Sequence, residues 1–423
     1  MKHVIIGAGP AGVIAAETLR KLQPSASVTI VGDEPEPPYS RMALPYLLFK
    51  KVDEAGTHLR KDSDHFKKLK IDIMRDKVTR VDSSTKQLHL AGGGKVEFEK
   101  LLVATGSRPT APPIPGMDMP GIYPCWTLAD ARHIAAAAKP GAQVVLMGAG
   151  FIGCIILEAL AKRGVDLTVV EMADRMVPRM MNEIAGNLIK QWCINKGVHV
   201  HTSTKVVAIE AGKPGHKFAV KLDNGTVLSA DLIISATGVR PNIEFLQDSG
   251  VKTAHGVLIN RQMQTSNPDI YAAGDVAEGL DFSTGEYSVQ AIQPTAADHG
   301  QLAARNMAGH NGAVHRGSVN MNVLDTLGLI SSSFGLWMGA SGGDNAEVCD
   351  PKRFRYLNLQ FADDVLVGAT SLGLTDHVGV LRGLIQTKTR LRDWKDKLMK
   401  DPTRIMEAYL GSTQALGFNA GLI

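Results

Sequence analysis

Two short glycine-rich runs carry the residues best spaced for chemistry: Gly7-Ala8-Gly9-Pro10-Ala11-Gly12 and Gly148-Ala149-Gly150-Phe151-Ile152-Gly153. Glycines at this spacing let backbone N–H groups approach a pyrophosphate closely, at a helix N-terminus whose partial positive charge favours an anion. An acid follows each run, as Asp33-Glu34 in the first case, with Asp33 lying 21 residues after Gly12, and as Glu171 in the second. Such carboxylates accept hydrogen bonds from ribose hydroxyls. Glu171 suits the free 2′-hydroxyl of NAD and repels the 2′-phosphate of NADP, while Arg175 is the nearby cation that would relax this preference. Two adenine-dinucleotide sites are therefore expected, the second for NAD(H).

Positioning these residues requires a strand before each loop and a helix after it. His3–Ile6, the helical stretch Val13–Lys21 and the strand Ser27–Val31 frame the first run. Gln143–Met147, a helix through Lys162 and the strand Asp166–Val170 frame the second. Ala104-Thr105-Gly106 and Ala236-Thr237-Gly238 each end an apolar strand and lead into Arg-Pro, and each is expected to close its nucleotide domain. A further strand runs into the turn Gly274-Asp275. A helix follows from Gln293 to about Met307, with Thr295 and Asp298 at capping-box spacing. Strands over 355–361 and 363–369, then a helix over 378–386, are expected in the last hundred residues.

The remaining chain bounds the answer. Its 423 residues, 44% hydrophobic and 21% charged, suit a folded protein of two or three domains. Glycine is in excess at 43 residues, about 10% against roughly 7% on average, which calls for tight turns or ligand loops. A net charge of +4 is no nucleic-acid signature. No apolar run is long enough to span a bilayer, and the opening MKHVIIGAGPAG runs straight into a glycine loop, unlike a signal peptide. A cytoplasmic location is expected. Cys125, Cys154, Cys193 and Cys349 form no CxxC pair, so a redox disulfide, a Cys-ligated iron–sulfur cluster and a metal site are not expected on this chain.

Taken together, these segments resemble the pyridine-nucleotide-dependent FAD oxidoreductases over essentially the whole chain. The resemblance implies an α/β fold with two Rossmann-like domains and a C-terminal α/β interface domain. The FAD domain would be discontinuous, 1–113 and 242–312, interrupted by an NAD domain at 114–241 and followed by the interface domain at 313–423. The family pattern places Gly7, Gly9, Pro10, Ala11, Gly12, Asp33, Glu34, Arg41, Ala104, Thr105, Gly106, Gly274, Asp275, Pro294 and Thr295 around FAD. It places Gly148, Gly150, Phe151, Ile152, Gly153, Glu171, Arg175, Thr237 and Gly238 around NAD(H). The helix after Gln293 would direct its N-terminus at the flavin pyrimidine ring.

The segment Pro38-Tyr39-Ser40-Arg41-Met42-Ala43-Leu44-Pro45-Tyr46 carries the subclass signal. Peroxidase, oxidase and CoA-disulfide-reductase branches hold a redox cysteine where this chain has Met42, and a thioether forms no thiolate. The segment instead resembles the rubredoxin-reductase, ferredoxin-reductase and nitrite-reductase flavin branch, in which Arg41 would lie against the FAD phosphates or flavin edge. Tyr46 replaces a lysine near flavin N5, and Ile155 replaces the glutamate that pairs with it. No acid–base catalytic residue is implied; Tyr46 and Phe151 are the expected flavin N5 environment.

The implied chemistry is hydride exchange between nicotinamide and flavin, with single electrons passing to an iron–sulfur partner on another chain. The run from Gly32 to Leu48, with Glu54–Lys61, looks like the FAD subunit of NAD-linked dehydrogenases that convert 2-oxoacids such as phenylglyoxylate to acyl-CoA during aromatic degradation. There, thiamine diphosphate and iron–sulfur clusters sit on other subunits. A stand-alone NADH:rubredoxin or ferredoxin reductase is the alternative, and an NADH-responsive flavoprotein acting through protein–protein contacts is a third class. Either a homodimer or a hetero-oligomer is expected. Two basic clusters, Lys50–Lys70 with seven Lys/Arg against four acids and Lys388–Arg404 with seven against three, are either solvated faces or docking sites for an acidic partner.

Overall fold

Runs of β-branched and aliphatic residues, buried on both faces, build the two parallel sheets that organise the chain. The computed structural model describes residues 1–310 and 312–420, with side chains through residue 413. Asn311, within the expected FAD domain, and residues 421–423, at the end of the expected interface domain, lie outside the described residues. The chain divides into two units, Met1–Thr110 with Gly238–Ser318, and Ala111–Thr237 with Val319–Ile423.

In the first unit, five parallel strands lie in the order Ile270–Ala272, Lys100–Val103, Lys2–Ile6, Ser27–Gly32 and Ile71–Arg75. Ile5, Ile30, Leu101 and Leu102 are fully buried at its centre. The helix Pro10–Leu22 starts with proline in its first turn, where the missing N–H costs nothing. It packs on the helix Gln293–Met307 through Gly300, where a Cβ would stand 2.3 Å from the Ala11 carbonyl oxygen. That second helix is capped differently from the sequence expectation. It begins at Gln293 after Ile292 with no side-chain cap, and Thr295 is buried inside the first turn. Pro294 pre-sets the helical turn in place of a Thr295–Asp298 capping box.

A feature the sequence only hinted at joins the twin Ala-Thr-Gly segments. Their Arg-Pro tails, Ser107–Pro109 and Val239–Pro241, pair antiparallel, with Arg240 opposite Arg108. Like charges face each other there, and Glu244 accepts from Arg108, whose guanidinium pulls the Glu244 carboxyl down to about 2.

The second unit has its own parallel sheet, in the order His199–His201, Asp166–Val170, Gln143–Met147, Leu232–Ser235 and Ile122–Tyr123. A three-stranded antiparallel sheet over 206–230 shares a core with it, in which Phe218 and Val220 meet Val145, Met147 and Ile233. Residues 321–372 form a five-stranded antiparallel sheet, and the helix Val378–Thr387 buries Leu381, Leu384 and Ile385. Asn182 caps the helix Glu183–Asn195 by accepting the Ala185 N–H at 3.0 Å, and its amide donates to the buried Tyr356 hydroxyl of that sheet.

Two candidate dinucleotide sites

The first loop is packed at its outer glycines and open at its middle one. Gly7 has φ +110, and a Cβ there would lie 2.1 Å from the Ala104 carbonyl oxygen. A Cβ on Gly12 would lie 2.0 Å from the Gly7 carbonyl oxygen, whereas one on Gly9 would meet nothing within 4 Å. The outer glycines let helix, strand and loop close on one another, and the space beyond Gly9 is where a pyrophosphate fits.

Two other segments, the turn of Gly274 and the start of the helix Gln293–Met307, meet this loop at Gly274. At φ +77, its missing Cβ would stand 3.3 Å from Ala11 and 3.4 Å from Ala296, next to Pro294 and Thr295. Asp275 follows, accepting from the Ser107 hydroxyl at 3.1 Å. Burial pushes its carboxyl above the ordinary range, against the pull of the Ser107 bond and the Arg41 charge. This half-buried carboxylate could also accept a hydrogen bond from a hydroxyl-bearing ligand. Thr105 and Asn242 exchange two hydrogen bonds of 2.9 Å, which fixes the Ala104–Gly106 turn.

Of the two acids after the strand, Glu34 turns inward and Asp33 is exposed. Glu34 pairs with Arg41 at 2.6 Å and accepts from the buried Tyr39 hydroxyl. Met42 and Tyr46 are 44% and 46% exposed and line an open pocket with Ser40, Gln293, Pro294 and Ala297. Ser40 donates to Gln293 at 2.6 Å, tying this segment to the helix that begins there.

The second loop repeats the glycine pattern. A Cβ on Gly148 would lie 2.5 Å from the Ala236 carbonyl oxygen and one on Gly153 2.2 Å from that of Gly148, while Gly150 faces open space. Phe151 and Ile152 open the helix Phe151–Ala161, both half-buried. Glu171 does not project freely: it is 8% exposed and accepts the Ala149 N–H at 2.6 Å and the Ala173 N–H at 2.8 Å. Arg175 donates to the Met181 carbonyl at 3.0 Å and to Asp174 at 2.8 Å. Thr237 lies 3.2 Å from the Ser235 hydroxyl, and Gly238 falls in the first unit.

Cys125, Cys154 and Cys193 are buried, and burial pushes the Cys125 and Cys193 thiols up to about 12. Cys349 is exposed. Among the described residues no group of three or more side chains could hold a metal ion, and no helix is long and apolar enough to cross a membrane. Sequence reasoning gave no role to Asn242, Ser107, Glu244 or Gln293. Ser107, between Gly106 and Arg108, and Gln293, at the start of its helix, carried a motif signal; Asn242 and Glu244 carried none.

Two glycine loops, each at the end of a parallel strand and each with an inward-turned acid, define a dinucleotide-dependent oxidoreductase. Residues 1–300 match the family described as pyridine nucleotide-disulphide oxidoreductase, and the chain belongs to this family. It is an oxidoreductase whose cofactors are FAD and NAD(H). The chain is 33% identical over 421 residues to the NADH-dependent phenylglyoxylate dehydrogenase subunit epsilon of Aromatoleum evansii, covering 97% of this chain and 98% of that protein. It is 34% identical over 320 residues to an NADH oxidase of Methanocaldococcus jannaschii, covering 73% of this chain and 70% of that protein. In fold it is similar to putidaredoxin reductase, as seen in the covalent putidaredoxin reductase–putidaredoxin complex, with TM-score 0.88, 23% identity and coverage of 97% of this chain and 99% of that one.

Proposed function

We propose that this chain is the flavoprotein subunit of an NAD-linked, acyl-CoA-forming 2-oxoacid dehydrogenase of the phenylglyoxylate type, exchanging electrons between NAD(H) and an iron–sulfur partner. FAD belongs to the first loop, with Gly9, Glu34, Arg41, Asp275 and the start of the helix Gln293–Met307 around it. NAD(H) belongs to the second, with Gly150 and Glu171. Bound FAD supplies two-electron exchange with the nicotinamide and single-electron release. The chain's own residues bind and orient. Arg41 brings positive charge to the phosphates, Asp275 accepts hydroxyls, and the helix N-terminus favours negative charge on the flavin ring.

The observation that carries this reading is Met42. It is exposed beside Tyr46, where disulfide-reducing relatives hold a cysteine, so the chain has no thiol there to accept electrons. The assembly reading rests on similarity that runs through residues 301–423 as well as the nucleotide-binding portion. Native purification tests it. Co-purifying subunits carrying thiamine diphosphate and iron–sulfur clusters are the expected result, and a lone homodimer that rapidly reduces rubredoxin or ferredoxin with NADH would favour the stand-alone reductase. A flavin that NADH leaves unchanged would revive a purely protein-contact role.

Charge complementarity to the partner is narrower than the sequence suggests. Arg60 is held by Glu17 at 2.6 Å, Lys68 by Asp62 at 2.6 Å and Lys395 by Asp344 at 2.6 Å. Lys67 is thus a better charge-reversal target than Lys68, and unchanged salt dependence of electron transfer in Lys67→Glu would remove that cluster from the docking surface.

A further inference from the structure

Sulfur is the element of a protein that a peroxide oxidises most readily, and its reactivity is unevenly spread along this chain. A thiol reacts as its thiolate, which this chain disfavours. Burial pushes the Cys125 and Cys193 thiols up to about 12 and that of Cys154 well above the ordinary range. Partial burial, with the Glu347 and Asp350 charges, raises the exposed Cys349 as well. A thioether carries no proton, so exposure and surroundings decide which methionines meet an oxidant. By exposure, Met338 at 75% and Met172 at 66% lead Met42 at 44%.

Surroundings single out Met42. It sits in the turn Arg41–Ala43 and shares an open pocket of about 490 Å³ with Ser40, Tyr46, Gln293, Pro294 and Ala297. The helix Leu44–Leu48 is anchored by the buried Leu44, Pro45 and Leu48, and the Ser40–Gln293 bond of 2.6 Å ties this segment to the helix Gln293–Met307. The first turn of that longer helix serves two sites. Pro294 and Ala297 line the pocket, while Ala296 lies 3.4 Å from where a Cβ on Gly274 would stand and Ala11 of the first glycine loop lies 3.3 Å from it. One helical turn therefore separates the Met42 pocket from the first dinucleotide site. Among the side chains lining the pocket, Met42 carries the only sulfur.

We propose that Met42 is a site of oxidative modification, at which hydrogen peroxide formed by the chain is captured before it reaches solvent. This rests on the assignment of FAD to the first loop, with NADH as reductant. Dioxygen is the co-reactant: NADH, a proton and dioxygen give NAD+ and hydrogen peroxide. The Met42 sulfur lone pair attacks one peroxide oxygen, the O–O bond breaks, an S–O bond forms, and the other oxygen leaves as water. Methionine becomes its sulfoxide; sulfur loses two electrons and the peroxide gains them. The product places a polar oxygen in a largely apolar pocket whose own polar side chains, Ser40 and Gln293, bond to each other.

The test uses the full, flavin-loaded chain and reads oxygen incorporation at each methionine by peptide mass spectrometry. The chain is turned over with NADH in air, with and without catalase; it is separately given hydrogen peroxide without NADH, and NADH without dioxygen. During turnover Met42 is expected to be oxidised severalfold more than Met338 and Met172, with catalase protecting those two and not Met42. Added peroxide should reverse the order, following exposure, and NADH without dioxygen should modify none of the three. Met42 oxidised no more than Met338 and Met172 during turnover, or fully protected by catalase, would overturn the proposal. Added peroxide that oxidises Met42 first would do the same. A flavin band that NADH leaves unchanged without dioxygen would instead overturn the assignment on which the proposal rests, so the two failures are told apart.

Discussion

At the first loop Gly7 and Gly12 close against the carbonyls of Ala104 and Gly7, and at the second Gly148 and Gly153 close against those of Ala236 and Gly148. Gly9 and Gly150, the middle glycines, both face open space. The acids are held in opposite ways. Glu34 leans on side chains, the Arg41 guanidinium and the Tyr39 hydroxyl, whereas Glu171 leans on the backbone at Ala149 and Ala173. The backbone pattern follows from what any closely approached phosphate requires; the support of the acid is free to differ.

The largest expected effect separates packed from open glycines. Gly12→Ala puts a methyl 2.0 Å from the Gly7 carbonyl oxygen and should yield chain that is flavin-free or insoluble. Gly9→Ala, with nothing within 4 Å, should keep its circular dichroism and melting temperature as apoprotein while losing flavin. Flavin per chain and thermal melts decide this, and a Gly12→Ala protein with full flavin would break the contrast.

Arg41→Ala comes next. It removes the cation beside Glu34 and should weaken FAD binding roughly tenfold, about 1.4 kcal/mol, with NAD+ affinity unchanged. Equal loss at both sites would show that the two are not separately supported.

Acid should act on the first unit through His299, on the helix Gln293–Met307. Burial, with the neighbouring His315, lowers its pKa from 6.5 to about 3. Because the folded value lies below the unfolded one, only the unfolded chain takes up this proton between those values. Stability is therefore full above about pH 6.5 and falls as pH drops toward 3. Flavin retention and melting temperature should decline over that window, and less steeply in His299→Gln.

The smallest effect concerns the helix Glu183–Asn195 of the second unit. Asn182→Ala loses an N-cap and the bond to Tyr356 and should cost about 1 kcal/mol of stability, read by denaturant unfolding, with no change in cofactor preference.

Much of this was legible in the sequence because glycine spacing is dictated by local geometry. Both loops, their strands and helices, and the Gly274-Asp275 turn all follow from short-range pattern. What escaped notice depends on partners far apart in the chain. The pairing of Arg108 with Arg240, the Ser107–Asp275 bond and the Asn182–Tyr356 contact join residues more than 100 positions apart, which no local periodicity reports. Thr295 and Asp298 have capping-box spacing, yet the helix begins at Gln293, as its sequence predicts, with no side-chain cap. The different settings of Asp33 and Glu34 were also beyond local pattern, since Glu34 is held by Arg41 from outside the strand while Asp33 is exposed.

The central claim is that electrons leave this chain from the flavin without passing through a thiol of its own. Anaerobic titration of the flavin-loaded chain with NADH, following the flavin absorbance, tests it most directly. One NADH per flavin should complete the reduction, with no new reactive thiol. A requirement for two NADH per flavin, or a flavin band that NADH leaves unchanged, would contradict it.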